Sequence, residues 1–288
     1  MLVLERRAER SVTAALVSPL IAVALTVVTM AIIFTLIGKN PFHALYVYFI
    51  EPLFDSYSLQ EIVVKATPLV LIGVGLALCY VANVWNIGAE GQFLIGAVCG
   101  SWLAVKTHGT EAGIWVMPAM LVLGALGGAL YAMIPALCRV KFGASEILTS
   151  LMLVYVADLL LDYLTRGPWR DPKGFNFPTT AAFDANATMP IMFEGSRLHY
   201  GAVLALIIVA FLGRLNPVGI LIAGLFLALT FIGGEGAQIT LKVPLDLTKV
   251  FQGILLFFVL ACDSMITYRI RFIRAVQARA HGSTHGPA

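Results

Sequence analysis

The chain has 288 residues, 59% of them hydrophobic and only 12% charged, with a mean hydropathy of +0.90. A soluble domain carries roughly 25% charged residues, so this composition excludes a water-soluble globule. The net charge of +3 is gathered at the chain ends and in short loops, which argues for membrane orientation and against nucleic acid, a partner that wants a basic face on a folded domain.

Apolar runs of about 20 residues, the length that crosses a bilayer, recur along the sequence, and the fold class they imply is an all-α polytopic membrane protein. Residues 1–11 hold Arg6, Arg7 and Arg10 ahead of the apolar run Val12–Gly38. Basic flanks stay in the cytoplasm, so the first helix runs outward. That run is too long for the apolar region of a signal peptide and lacks a small-residue cleavage site. An outer segment near 39–61 follows, with Pro41, Pro52 and the aromatics Phe42, Tyr46, Tyr48, Phe49, Phe54 and Tyr57. Such residues suit either the membrane interface or packing beneath a lid.

Ile62–Ala82 returns inward, with Lys65 placed to snorkel and Pro68 to kink it. A polar break at Asn83–Gln92 leads into Phe93–Val105, a short outer loop, and Gly113–Leu137. Arg139 and Lys141 mark the next loop as cytoplasmic, which agrees with the alternation. Ser145 is a candidate N-cap, with Glu146 in the first turn, for a helix near Ile147–Leu164 that carries Asp158 and Asp162. Residues 165–200 form a long polar outer segment rich in Pro, Asn and Thr. Gly201–Gly213 returns to Arg214 inside, Val218–Gly233 exits, 234–247 reads as a polar outer loop, and Thr248–Tyr268 comes back to a basic tail, 269–288, whose end reads as disordered. The count is about eight spans of the length a bilayer requires, within a permease domain 12–268 and with both termini cytoplasmic. Gly96…Gly100 and Gly124…Gly128 have the four-residue spacing that lets helix backbones approach closely in lipid.

The break is the informative stretch. Its flanks are apolar enough to sit in lipid, yet it holds a carboxylate, Glu90, and the amides of Asn83, Asn86 and Gln92, with Trp85 among them. Polar groups at membrane depth mark functional sites, and non-helical backbone there is tolerated only against protein or a water-filled cavity. Asn83, Trp85, Asn86, Glu90 and Gln92 are therefore the candidate pathway residues. Glu90 has two readings, a wall of a polar path and a first-turn cap stabilised by the helix dipole, and they are compatible.

Catalytic chemistry has no constellation to work with: there is no HExxH, no GxSxG and no phosphate-binding GxxxxGK[ST]. The four cysteines lie in or beside apolar runs without CxxC spacing, and read as packing residues. The five histidines are isolated. No catalytic and no metal-binding residue is expected.

Six motifs, in this order, resemble one family: Asn83-Val-Trp-Asn-Ile-Gly-Ala-Glu-Gly-Gln-Phe-Leu-Ile-Gly96, Ala144-Ser-Glu-Ile-Leu-Thr-Ser-Leu-Met-Leu153, Arg166-Gly-Pro-Trp-Arg-Asp-Pro-Lys-Gly174, Leu212-Gly-Arg-Leu-Asn-Pro-Val-Gly219, Gly233-Gly-Glu-Gly-Ala-Gln238 and Gln252-Gly-Ile-Leu-Leu-Phe-Phe-Val-Leu-Ala-Cys-Asp263. The family is the permease subunits of bacterial importers of the ABC class for nucleosides and simple sugars, within the ribose and branched-chain amino-acid permease superfamily. The resemblance implies a multi-pass inner-membrane subunit forming half of a translocation pathway. Its implied partners are a second, related permease, a cytoplasmic ABC ATPase that binds ATP and Mg²⁺, and an extracytoplasmic substrate-binding protein or lipoprotein; this chain needs no cofactor of its own.

The chain departs from the family in its middle. Family members cross the bilayer about ten times, at about 20 residues per crossing, and place a cytoplasmic coupling helix after the helix that begins here at Gly201. In this sequence Leu206–Arg214 runs from the start of one family helix directly into the end of a later one. The inner segments left to meet a partner carry Arg139, Lys141, Glu146, Arg214 and Asn216. Two alternatives follow: a permease for branched-chain amino acids, and a degenerate permease that scaffolds another without transporting.

Overall fold

The structure, a computed structural model, describes residues 2–6, 12–110, 112–175, 177–212, 217–244 and 246–272. The chain divides into two compact units, one made of residues 1–58 with 229–288 and the other of residues 59–228. In chain order the helices are α1 (Val12–Leu36), α2 (Pro41–Leu45), α3 (Glu51–Phe54), α4 (Ser56–Val81), α5 (Ala89–Thr107), α6 (Val116–Phe142), α7 (Glu146–Arg166), α8 (Gly201–Leu212), α9 (Pro217–Leu241) and α10 (Asp246–Thr267). Among the described residues the chain is all-α apart from an isolated β-bridge between Ile191 and His199 and one ribbon: β1 (Leu2–Arg6) pairs antiparallel with β2 (Tyr268–Phe272), Leu2 opposite Phe272 and Arg6 opposite Tyr268.

In the first unit α1 packs along α10. The outer aromatic segment is helical rather than open: Asn40 caps α2, its side-chain oxygen accepting from the N–H groups of Phe42 (3.0 Å) and His43 (3.3 Å), and a π turn at Tyr46–Ile50 links α2 to α3. The two readings of its aromatics divide between residues. Tyr48 is buried, tilted against Phe49 (5.1 Å) and Phe251 (5.3 Å), whereas Phe42 and Phe54 are each 84% exposed.

In the second unit α5, α6 and α7 form the tightest block. The expected small-residue seam is there: a Cβ on Gly96 would lie 2.9 Å from the carbonyl oxygen of Gly124, so the two backbones touch as such spacing permits. The first part of α9 lies against α4, with Ile220 over Gly73.

Five helices among the described residues are long and apolar enough to cross a membrane: Val17–Leu36, Ser56–Val81, Val116–Phe142, Glu146–Arg166 and Val218–Leu241. The other expected spans correspond to α5, α8 and α10. Of these α8 has 12 residues, α5 includes Glu90, Gln92 and Lys106, and α10 carries Asp246, Lys249 and Asp263.

Several boundaries differ from the sequence reading. Helix α4 begins at Ser56 because the Asp55 carboxylate accepts from the backbone N–H (2.9 Å) and hydroxyl (2.6 Å) of Ser58, which takes Glu61 out of the outer segment and into the helix. Helix α6 runs to Phe142, with Arg139 and Lys141 in its last turn and Gly143 closing it at φ +64°; cations are favourable at that end, and their charge had made a helix terminus look like a loop. Helix α9 runs through the polar, Gly-rich stretch to Leu241 instead of stopping at Gly233. There Gly233 and Gly234 sit against Tyr48 and Thr248, so packing overrides local propensity. Of the N-terminal segment and the basic tail, Leu2–Arg6 and Tyr268–Phe272 pair as the β1–β2 ribbon, while residues 1, 7–11 and 273–288 lie outside the described residues.

Candidate functional site

The break between α4 and α5 is built by local chemistry. At the end of α4 the Val84 N–H donates back to the Cys79 carbonyl (2.9 Å) and the Asn83 N–H to that of Tyr80 (3.0 Å). Asn83 stands at φ +55°, a left-handed terminator that Asn accepts better than most side chains. Val84–Gly88 is non-helical, and α5 then starts with donors its own backbone cannot satisfy. The Asn86 carboxamide meets one of them, its Oδ1 accepting from the Gly88 N–H (3.0 Å). Across on α7, Ser150 Oγ accepts from the Ile87 N–H (3.3 Å) while donating to the Ile147 carbonyl (3.2 Å).

Asn86 and Gln92 are locked to each other. Asn86 Nδ2 donates to Gln92 Oε1 (3.0 Å), and Gln92 Nε2 donates to Asn86 Oδ1 (3.1 Å). Two glycines make the turn possible by close approach. A Cβ on Gly88 would lie 2.8 Å from both Cβ and the carbonyl oxygen of Ser150, and one on Gly91 would lie 2.9 Å from Cα of Val154.

A groove of about 1450 Å³ opens within the same unit, walled by α4, α5, α6, α8 and the segment before α8. Helix α4 lines it from Thr67 to Cys79, about 18 Å at 1.5 Å per residue. The walls are mostly small or apolar. One end holds Cys79 with the Asn86–Gln92 pair, and the other holds Thr67, Ser196, Arg197 and His199. That second end belongs with the start of α6, since Ala104, Val116 and Ala187 share a buried cluster there.

Of the candidate pathway residues, Asn86 and Gln92 line the groove. Asn83, Trp85 and Glu90 are exposed and are not part of its wall. The Trp85 ring lies 5.5 Å from that of Tyr80, and Glu90 occupies the first turn of α5, the position a helix-capping role requires. Among the candidate partner-facing residues, Arg139 and Glu146 pair with each other across the α6–α7 turn, and Lys141 is exposed beside them. Arg214 and Asn216 lie outside the described residues. Among the described residues no group of three or more His, Cys, Asp or Glu could hold a metal ion.

The sequence reading missed Glu61 altogether as a site residue. It is 5% exposed on α4; its Oε2 accepts from Arg197 Nη1 at 3.4 Å, and its Oε1 has no partner. The available signal was weak, a single acid on the border of an apolar run, and the boundary at Ile62 left it outside the helix.

Residues 58–212 match the family described as branched-chain amino acid transport system / permease component. The chain is 28% identical to the glucose ABC transporter permease protein TsgB13 of Haloferax volcanii, with 88% of this chain and 89% of that protein aligned. It is 28% identical to the nucleoside ABC transporter permease protein NupB of Lactococcus lactis (82% and 67% covered) and 27% identical to the guanosine ABC transporter permease protein NupP of Bacillus subtilis (53% and 44%). No solved structure matches. The Haloferax alignment runs over 341 positions, more than this whole chain contains, so that relative has stretches with no counterpart here. The family match itself ends at 212, within the Leu206–Arg214 stretch where the motif order skips. A match across more than half of the residues, on a helical multi-pass membrane chain, places this protein in the branched-chain amino acid transport system / permease component family, as a permease of the ABC transporter type.

Proposed function

We propose that this chain forms half of the route by which a bacterial inner-membrane importer moves nucleosides or simple sugars. The observation that carries this reading is the groove of about 1450 Å³ with the Asn86–Gln92 pair at one end and Arg197 and His199 at the other. Polar groups at both ends of an apolar passage let a solute exchange water for protein hydrogen bonds on entering and leaving, and alternating access then turns on which end is open. In the assembled importer a separate ATPase subunit binds ATP and Mg²⁺, a second permease supplies the other half, and an extracytoplasmic binding protein delivers the solute. The Arg139–Glu146 turn and Lys141 are the contact offered to the ATPase.

The test is uptake of labelled uridine, glucose and leucine by cells that lack the chain and by cells that regain it. Restoration of uridine or glucose uptake supports the reading, and restoration of leucine alone replaces it with the amino-acid alternative. The alternative, a non-transporting scaffold for another permease, is raised by the stretches of the Haloferax relative that have no counterpart here. Proteoliposomes holding the complex with and without this chain separate the two: equal uptake in both means a scaffold.

A further inference from the structure

We propose that Glu61 and Arg197 form a recognition subsite for vicinal hydroxyls, those of a sugar ring whether free or as the ribosyl part of a nucleoside; this rests on the transport reading above. Glu61 stands 18 residues before Cys79, five turns of about 3.6 residues; it is not itself a wall residue of the groove and joins the wall through its ion pair. Its one partner, Arg197, is itself part of the groove wall. The carboxylate is buried, yet one oxygen makes a single long bond of 3.4 Å and the other makes none. His199, in the same wall, likewise has a buried Nδ1 without a partner. Buried polar atoms are almost always satisfied, and leaving one unmade is costly. Two such atoms beside one groove end point to hydrogen bonds completed by a ligand.

The chemistry of those groups narrows the ligand. A carboxylate only accepts and a guanidinium only donates, whereas each hydroxyl does both. One hydroxyl of a vicinal pair donates to Glu61 Oε1, and its neighbour accepts from a free N–H of Arg197, whose side chain is 70% exposed. The ion pair stays intact throughout. A zwitterionic amino acid would have to split that pair to match the same charges, at the expense of a contact already made. The apolar walls beyond accept the body of the solute, a nucleobase or the face of a hexose.

The experiment uses the complete importer in proteoliposomes and compares the chain as it is with Glu61→Gln. Uridine and glucose are the two diol-bearing probes; 2′,3′-dideoxyuridine lacks the diol, and leucine is the zwitterion. The amide keeps the volume of the carboxyl but weakens acceptance at the orphan oxygen. The expected result is at least a tenfold loss in kcat/KM for the preferred diol probe, no change for dideoxyuridine, and therefore a collapse of the ratio between them. Glucose or uridine showing the larger loss identifies the source of the diol. Equal losses with and without the diol mean a structural role and overturn the subsite, as does an unchanged ratio in a complex that transports normally; the transport reading survives both. Leucine uptake that falls with the substitution also overturns the subsite, in favour of amino-acid recognition. A complex that moves none of the probes overturns the subsite and the transport reading together. Arg197→Lys keeps the charge but loses the forked donors, and a second collapse of the ratio is expected there.

Discussion

Two polar regions of the second unit are built on opposite principles. At the break, Asn86 and Gln92 satisfy each other twice, Ser150 satisfies Ile87, and two glycines lie on the backbone of α7. At the other end of the groove, the wall residue His199 and Glu61, which is paired to the wall residue Arg197, keep buried atoms without a partner. The contrast teaches that polarity in a membrane protein serves two purposes. A closed network holds a chain reversal that lipid could not otherwise tolerate, and an open one leaves bonding capacity for something that arrives later.

The comparison breaks most severely at Gly91. In Gly91→Leu the new side chain enters the backbone of Leu153 and Val154, and the overpacking is expected to cost about 3 kcal/mol or more; yield and thermal unfolding in detergent measure it. Asn86→Ala strands Gln92 and the Gly88 N–H, for about 1–3 kcal/mol. The double change Asn86→Ala with Gln92→Ala is expected to cost less than the two single changes summed, because neither partner is left waiting; a double-mutant cycle reads that coupling, and additive costs would mean the pair is not a unit.

A smaller effect comes from Asp55, which caps the helix carrying Glu61. Its bonds to Ser58, the side-chain one first, hold the carboxyl below its ordinary value of 3.8. A depressed native value contributes stability above the unfolded pKa of about 3.9 and loses it as pH falls through the native one. The difference in melting temperature between the natural chain and Asp55→Ala should thus be constant from pH 8 to about pH 5, and shrink at more acid pH. The smallest change is expected for Glu61→Leu. Arg197 is mostly exposed and is not stranded by losing its partner, and an apolar side chain removes a buried, half-satisfied carboxylate. Stability should hold or rise slightly while diol selectivity is lost, and a marked fall would mean that this corner is as closed as the break.

How much of this was legible beforehand follows from the range of the forces involved. The polar break was visible at Asn83–Gln92 because Gly, Asn and Gln interrupt long apolar runs, and periodicity and basic flanks placed the helices around it. Which of its residues face the groove was not visible: Asn86 and Gln92 do, and Glu90 does not, a matter of helix phase across an irregular turn. Glu61 was hidden because its importance depends on Arg197, distant in sequence and brought near only by the fold. The reach of α9 to Leu241 was hidden for a similar reason, since Gly233 and Gly234 signal a loop until Tyr48 and Thr248 are seen against them.

The β1–β2 ribbon carries a topological consequence. Strands hydrogen-bonded in register from Leu2–Phe272 to Arg6–Tyr268 cannot lie on opposite sides of a bilayer, so the start of α1 and the end of α10 open on one face. A path that leaves a surface and comes back to it must pierce the sheet between an even number of times. The five helices among the described residues that qualify by length and composition alone are an odd set, so the actual crossings differ from those five.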